Sequence, residues 1–355
     1  MTRPPLAHVA LALVVGAGLT LAACSDEPSS SSDEADPPSS ADTTTTIPPE
    51  WARIDDALAE LGPEVGFLAA SVSPDGTCDP IHEVAPSEPR PTASQFKLLV
   101  LGALADRIAA GEISWDQTLT VDAAAQSLGN GEGSLQVAAP GTQVTVEDAA
   151  TKMISISDNT AADMLAGLTG RDEVEAKFDE WTDNASANEP FLTTREMFLL
   201  HYVPDLADRY LATPPDQRDD FLASSVDPLL LTDMDPELLG NPRYIDTVEW
   251  FASPDDICRA FAGLQGLAED PAPSPLSTIL SQEVGGIGLD PAAWPTIWFK
   301  GGSEPGVLTL GWLATNSEGD SFVVQAMVSN PDANLSDASI VDLVTLGKEA
   351  FGLLG

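Results

Sequence analysis

Ser94-Gln95-Phe96-Lys97-Leu98-Leu99-Val100-Leu101-Gly102-Ala103-Leu104 is the stretch on which the reading of the chain turns. From Ser94 to about Ile113 the pattern is helical, so a serine and a lysine stand three residues apart at the start of a helix. That spacing puts both side chains on one helix face, and the positive end of the helix dipole favours an alkoxide or an oxyanion at Ser94. A lysine can take the proton of a serine hydroxyl when burial or a cationic neighbour lowers its pKa. Lysine is scarce in this chain, which has only Lys97, Lys152, Lys177, Lys300 and Lys348. Taken alone, the pair also fits a serine N-cap followed by an exposed lysine.

Other bases are in short supply. Beyond the first 23 residues only His82 and His201 remain, and neither lies in an Asp/Glu/Cys cluster with metal-ligand spacing. A Ser-His-Asp triad and a catalytic metal are therefore poorly provided for, and no cofactor is called for. Two further segments carry polar groups in suggestive places. Ser157-Asp158-Asn159 separates an apolar helix, Ala149 to Ile156, from another, Thr160 to Leu168. Lys300-Gly301-Gly302 follows a strand from Thr296 to Phe299. Each has a plain structural explanation, a helix-linking cap and a glycine turn respectively.

The rest of the chain supplies the frame. Residues 1–23 read as an export signal: a basic start, an apolar run from Leu6 to Leu21 too short to span a bilayer comfortably, then Ala22-Ala23-Cys24. Residues 24–49 are Ser, Thr, Asp, Glu and Pro with almost no apolar residues, the composition of a flexible tether. The folded domain is expected over 50–355, with a helix at Ile54–Leu61, strands at Gly66–Ser73 and about Pro80–Ala85, a long helical middle, β-rich runs at Thr296–Lys300, Val307–Ala314 and Ser321–Ser329, and a closing helix at Ser336–Leu354. Strands at both ends and helices between imply a mixed α/β (α+β) domain of two lobes, an antiparallel sheet assembled from both chain ends beside an all-helical lobe. The formal net charge of −41 makes nucleic acid an unsuitable partner. Cys78 and Cys258 are left as a pair in an exported domain, either bridged or buried as separate thiols.

Ser94-x-x-Lys97, Ser157-Asp158-Asn159 and Lys300-Gly301-Gly302, in this order and these settings, resemble the S-x-x-K, S-D-N and K-T-G set of class A β-lactamases and penicillin-binding proteins. The resemblance runs over nearly the whole domain and implies the two-lobed β-lactamase/transpeptidase-like fold. Ser94–Trp115, Met153–Leu165, Pro190–Glu196 and Phe299–Leu310 look most like an actinobacterial lipoprotein branch that includes the class-A-like enzyme of clavulanic acid biosynthesis. Leu21-Ala22-Ala23-Cys24 resembles a lipobox, with Cys24 as the lipidated residue and the outer face of the cell membrane as the location. By this resemblance Ser94 is the nucleophile, Lys97 its base, Ser157 a proton relay, Asn159 the holder of the substrate amide and Lys300 a source of positive potential. Gly302 brings the strand close, and the backbone N–H groups of Ser94 and Ser303 form the oxyanion hole. The implied partner is a β-lactam or a related cell-wall amide or ester.

Two departures stand out. Gly301 replaces the hydroxyl residue of K-T-G. On the loop where class A enzymes carry the glutamate that activates the deacylating water, aligning the tryptophans brings Thr182 to its place, with Glu180, Asp183 and Glu189 nearby. The region from about Tyr202 to Pro242 looks like an insertion. A D,D-peptidase or esterase, or a non-catalytic surface lipoprotein of the same fold, therefore stays open beside a β-lactamase. Lipidation has a direct test: Cys24→Ala should accumulate as uncleaved precursor or pass into the medium, while the unaltered protein carries lipid mass on its N-terminus.

Overall fold

The computed structural model describes residues 47–123, 125–129, 134–269 and 274–354. The signal-like segment, Cys24 and most of the tether lie outside the described residues. The first elements in chain order are α1 (Pro49–Ala59), β1 (Glu64–Val72), β2 (Cys78–Val84), β3 (Arg90–Pro91), α2 (Lys97–Ala109), β4 (Thr118–Thr120) and β5 (Gln143–Thr145). Six helices follow, α3 (Val146–Ser155), α4 (Asn159–Thr169), α5 (Arg171–Trp181), α6 (Thr194–Tyr202), α7 (Leu206–Leu211) and α8 (Arg218–Phe221). The chain closes with β6 (Phe251–Ala252), α9 (Pro254–Ala268), α10 (Leu276–Leu280), β7 (Thr296–Glu304), β8 (Val307–Thr315), β9 (Ser321–Ser329) and α11 (Ala338–Leu354).

The main sheet is antiparallel, in the order β2-β1-β9-β8-β7, so strands from the two chain ends meet where β1 pairs with β9. Alternation along β1 sends Phe67 and Ala69 to one face and Leu68 and Ala70 to the other. On the first face α1 and α11 cover Trp312 and Val324 with Ile54, Leu58, Leu343 and Phe351. On the second, α2 and α9 pack on Leu313 and Val323, and this core runs on into the helical lobe. Every large side chain buried in this way contributes roughly 1.5–3 kcal/mol.

Local signals explain most boundaries. Pro49 stands at the first position of α1, where a missing N–H costs nothing, and the helix begins five residues before the expected Ile54. Thr145 caps α3, Asp158 caps α4, and Thr193 and Ser253 cap α6 and α9 with reciprocal capping boxes. Two expectations are corrected. The helix after Ser94 ends at Ala109, not Ile113, because the chain turns at Gly111, whose φ is +75°. Lys300-Gly301-Gly302 is not a strand end: β7 continues through it to Glu304, paired residue by residue with β8.

Cys78 at the start of β2 and Cys258 in α9 are joined as a disulfide, with Cα atoms 6.4 Å apart. The bridge closes a loop spanning 180 residues. In the chain-entropy picture a loop of that length contributes about 5 kcal/mol. The double variant Cys78→Ala/Cys258→Ala should therefore unfold on the order of 10 °C lower, read by thermal unfolding at constant pH.

Candidate active site

Ser94 sits in a single 3-10 turn, Ala93–Phe96, that runs directly into α2, so Lys97 is the first residue of the α-helix proper. Ala93 has φ +42° and Ser157 has φ +56°, left-handed conformations that non-glycine residues rarely adopt and that cluster at functional sites. Ser157 contacts the amino group of Lys97 directly, and Ala93 immediately precedes Ser94. Lys97 Nζ lies 3.0 Å from Ser94 Oγ, 2.7 Å from the Ser157 carbonyl, 3.0 Å from Ser157 Oγ and 2.6 Å from Asn159 Oδ1. Lys300 Nζ donates to Ser157 Oγ at 3.1 Å and to the Gly301 carbonyl at 2.6 Å. Ser94, Lys97, Ser157, Asn159 and Lys300, far apart in the chain, are thus brought to one place.

Hydrogen counting shows what a neutral Lys97 can do. The Ser157 carbonyl and Asn159 Oδ1 can only accept, and together they take two N–H bonds. A neutral amine then has its lone pair left for a hydroxyl, that of Ser94 or Ser157. Burial favours the same state: Lys97 is fully buried, and desolvation lowers its pKa to about 7, against the opposing pull of Asp163 and Asp158. Lys300 is pushed well below its ordinary value, by burial first and then by the charge of Lys97. Nζ can therefore accept a serine proton near neutral pH.

The supports are equally specific. Asp158 Oδ1 accepts from Ala161 N and Oδ2 from Leu135 N, so the middle residue of Ser157-Asp158-Asn159 shapes the loop and does not face Ser94. Asn159 Nδ2 donates to the Leu128 carbonyl, leaving its second hydrogen for a substrate. A Cβ on Gly302 would lie 2.4 Å from the Thr92 carbonyl and 2.6 Å from Ser94 N, so only glycine lets β7 approach the turn that carries Ser94. Ser303 follows it, exposed at the surface. At Gly301 a Cβ would meet the Phe299 ring at 2.9 Å and Leu310 at 3.0 Å, so the space for a threonine there is occupied.

Several site residues escaped the sequence reading. Gln95, fully buried, donates to the Lys300 carbonyl at 2.9 Å and exchanges side-chain hydrogen bonds with Gln325 of β9, tying the turn of Ser94 to the sheet. Asp163 accepts from Thr194 N at 2.7 Å and Arg195 N at 2.9 Å, the first N–H groups of α6, and burial pushes its carboxyl up to about 7. It is one helical turn beyond Asn159, and that i, i+4 spacing was the available signal.

The loop alignment of Thr182 is corrected. Its hydroxyl donates to the Phe178 carbonyl at the end of α5, while Glu180 pairs with Lys177, Asp183 with Arg259, and Glu189 is exposed. Among the described residues none of the four is hydrogen-bonded to Ser94, Lys97 or Asn159. Thr194 is the residue that reaches the site: its hydroxyl donates to Ser127 Oγ at 2.7 Å and lies 3.3 Å from the Asn159 carbonyl. His82 pairs with Asp55 and stacks on Trp51, and His201 Nε2 contacts the Val248 carbonyl, so both histidines have structural partners. The 202–242 region contains α7 and α8 and ends against the β7–β8 turn, where Pro242 abuts Gly306.

Comparison with known proteins bears on the fold. Residues 51–223 match the β-lactamase enzyme family. No curated protein matches the chain. Among solved structures, a β-lactamase from Sphaerobacter thermophilus is 21% identical, covering 86% of this chain and 96% of its own, with a TM-score of 0.56. A PBP-A mutant, solved as an acyl-enzyme complex with penicillin G, is 18% identical over 87% of this chain and 99% of its own, TM-score 0.57. A reconstructed ancestral class A β-lactamase is 19% identical over 86% and 99%, TM-score 0.58. The chain shares the fold of class A β-lactamases and PBP-A, and its residues 51–223 match the β-lactamase enzyme family.

If Lys97 is the base, serine acylation should rise with pH through about 7, because the amine must first lose its proton. Asp163→Asn removes a charge that raises the Lys97 pKa, so the midpoint should move to lower pH. Acylation rates measured across pH in both proteins check this.

Proposed function

We propose that the chain is an acylating serine hydrolase that acts on β-lactams or related cell-wall amides and esters. Ser94 Oγ bonds to the substrate carbonyl carbon as its proton passes to Lys97 Nζ. The backbone N–H groups of Ser94 and Ser303 receive the oxyanion. When the tetrahedral intermediate collapses, Ser157 Oγ passes a proton to the leaving nitrogen or oxygen, and its contacts with both lysines allow replenishment. The observation that carries this reading is the setting of Lys97 Nζ, where two obligate acceptors consume its N–H groups and leave its lone pair to a serine hydroxyl. The PBP-A acyl-enzyme complex with penicillin G supports penicillins as first probes.

Hydrolysis of the acyl-enzyme also needs a positioned water and a base, and the α6 side chain within reach of Asn159 is a hydroxyl, that of Thr194. A hydroxyl cannot replace a carboxylate near neutral pH, and general-base help typically contributes about 10² to 10⁴ in rate. Deacylation then limits turnover. The same observation favours a second reading, a D,D-peptidase or esterase with negligible lactamase turnover. A lipid on Cys24 would hold the domain at the outer face of the cell membrane, the narrower lipoprotein likeness being the ground for it.

Intact-mass measurement after mixing with a penicillin should show an adduct that forms in a burst and decays slowly. Ser94→Ala should give none and should keep its unfolding midpoint within about 0.5 kcal/mol of stability. An adduct that persists in Ser94→Ala, or its absence from the unaltered chain with penicillins and activated esters alike, overturns the proposal.

A further inference from the structure

Two glutamates meet behind the turn that carries Ser94. Glu249 is 3% exposed and neither carboxyl oxygen has a hydrogen-bond partner; Glu304 Oε1 is buried without one as well. Glu249 directly precedes Trp250, whose carbonyl accepts from Thr92 N at 2.9 Å and Thr92 Oγ1 at 3.1 Å. Glu304 ends β7, two residues beyond Gly302, whose missing side chain would strike Ser94 N. The two carboxyls therefore flank Thr92-Ala93-Ser94, the strained turn that presents the Ser94 N–H. Neither takes part in the chemistry set out above.

Carboxyls packed together in a dry setting cannot both ionise, and each supplies the donor that the other lacks when protons are retained. Burial is the main force raising both pKa values, and the proximity of Glu304 raises that of Glu249 further. The backbone N–H groups of Ala93 and Trp250, which act on Glu249 without meeting hydrogen-bond geometry, oppose this only in part. The other ionisable groups around the pair are few. Tyr202 of α6 is buried, its phenol pushed up by burial and then by the two glutamates. Arg243, whose Nε donates to the His201 carbonyl, acts on Tyr202 in the opposite direction. His201 is held neutral, with burial lowering its pKa to about 4.

Resting on the acyl-enzyme reading, we infer that Glu249 and Glu304 are a positioning pair: by retaining protons between them they keep negative charge away from the oxyanion hole, and acylation fails when the pair ionises at alkaline pH. A carboxylate lodged there would oppose the oxyanion that Ser94 N and Ser303 N are placed to receive. The pair has a second consequence for folding. A carboxyl whose folded pKa is raised contributes stability that is complete below its ordinary value of about 4.3 and is lost as pH rises through the folded value.

The experiment compares the full chain with Glu249→Gln/Glu304→Gln from pH ~5 to ~9.5, a range that spans both limbs of a bell-shaped profile. Penicillin adduct formation and thermal unfolding are the readouts. In the unaltered chain acylation should rise through neutrality and fall on the alkaline side. In the double variant the alkaline fall should vanish or move up by at least about one pH unit, a tenfold change in proton affinity, and the loss of thermal stability with rising pH should be shallower. The unaltered protein gives an independent measurement, an infrared carbonyl band of protonated carboxyl that persists at neutral pH and disappears on alkalinisation. An undiminished alkaline fall in a folded double variant overturns the inference. So does the absence of that band, which decides the matter if the variant does not fold. An adduct absent at every pH overturns the acyl-enzyme reading instead, while the band and the stability slope still report on the pair.

Discussion

One buried nitrogen organises this protein. Lys97 Nζ is removed from water by the same packing that closes the interface between sheet and helical lobe, and a buried amino group in that position needs hydrogen-bond partners supplied by the protein. The partners come from the turn before α2 and from the link between α3 and α4. Lys300 of β7 joins through Ser157. Meeting this demand fixes the positions of three otherwise independent segments. It also explains the left-handed backbone at Ser157, which turns its carbonyl and hydroxyl toward the same nitrogen. The local strain is offset by contacts that only this geometry provides.

The balance of charge around that nitrogen is tight. Lys97 and Lys300 share Ser157 Oγ, so two ammonium groups at full charge would repel each other across one hydroxyl. Asp158 and Asp163 lie close enough to pull Lys97 toward the charged state while burial pulls it away. Asp158 is already committed to capping α4 and Asp163 to the first turn of α6. Structural carboxylates thus double as the electrostatic surroundings of Lys97, and a change that loosens either helix start also changes the proton affinity of its amino group.

What could be read from sequence and what could not divides along physical lines. Continuous β-rich apolar runs located β1, β8 and β9, and helical patterns located the helices flanking Ser157, because burial acts directly on residue type. The five residues around Lys97 were legible because their chemistry is rare in a chain with so few lysines. Gln95, Asp163 and Thr194 were not: ordinary polar residues acquire roles only from partners distant in sequence, such as Gln325 for Gln95. The placement of Thr182 failed for a related reason. A tryptophan alignment assumed a loop of constant path, whereas Trp181 is wedged against positions 102 and 263, where any side chain larger than glycine would collide with it. The extension of β7 past Lys300 was hidden because two successive glycines read as a turn, although here they serve close approach.

The pairing of β1 with β9 has a bearing on synthesis. Residues 64–72 find their inner neighbour only in residues 321–329, so the first strand of the sheet to emerge waits for the last. Until then the hairpin of β1 and β2 presents an unpaired edge and an apolar face. Such long-range closure makes folding slow and all-or-none with respect to chain length. The sheet therefore cannot close until residues 321–329 have been made, and the apolar face of β1 stays uncovered while residues 73–320 are synthesised.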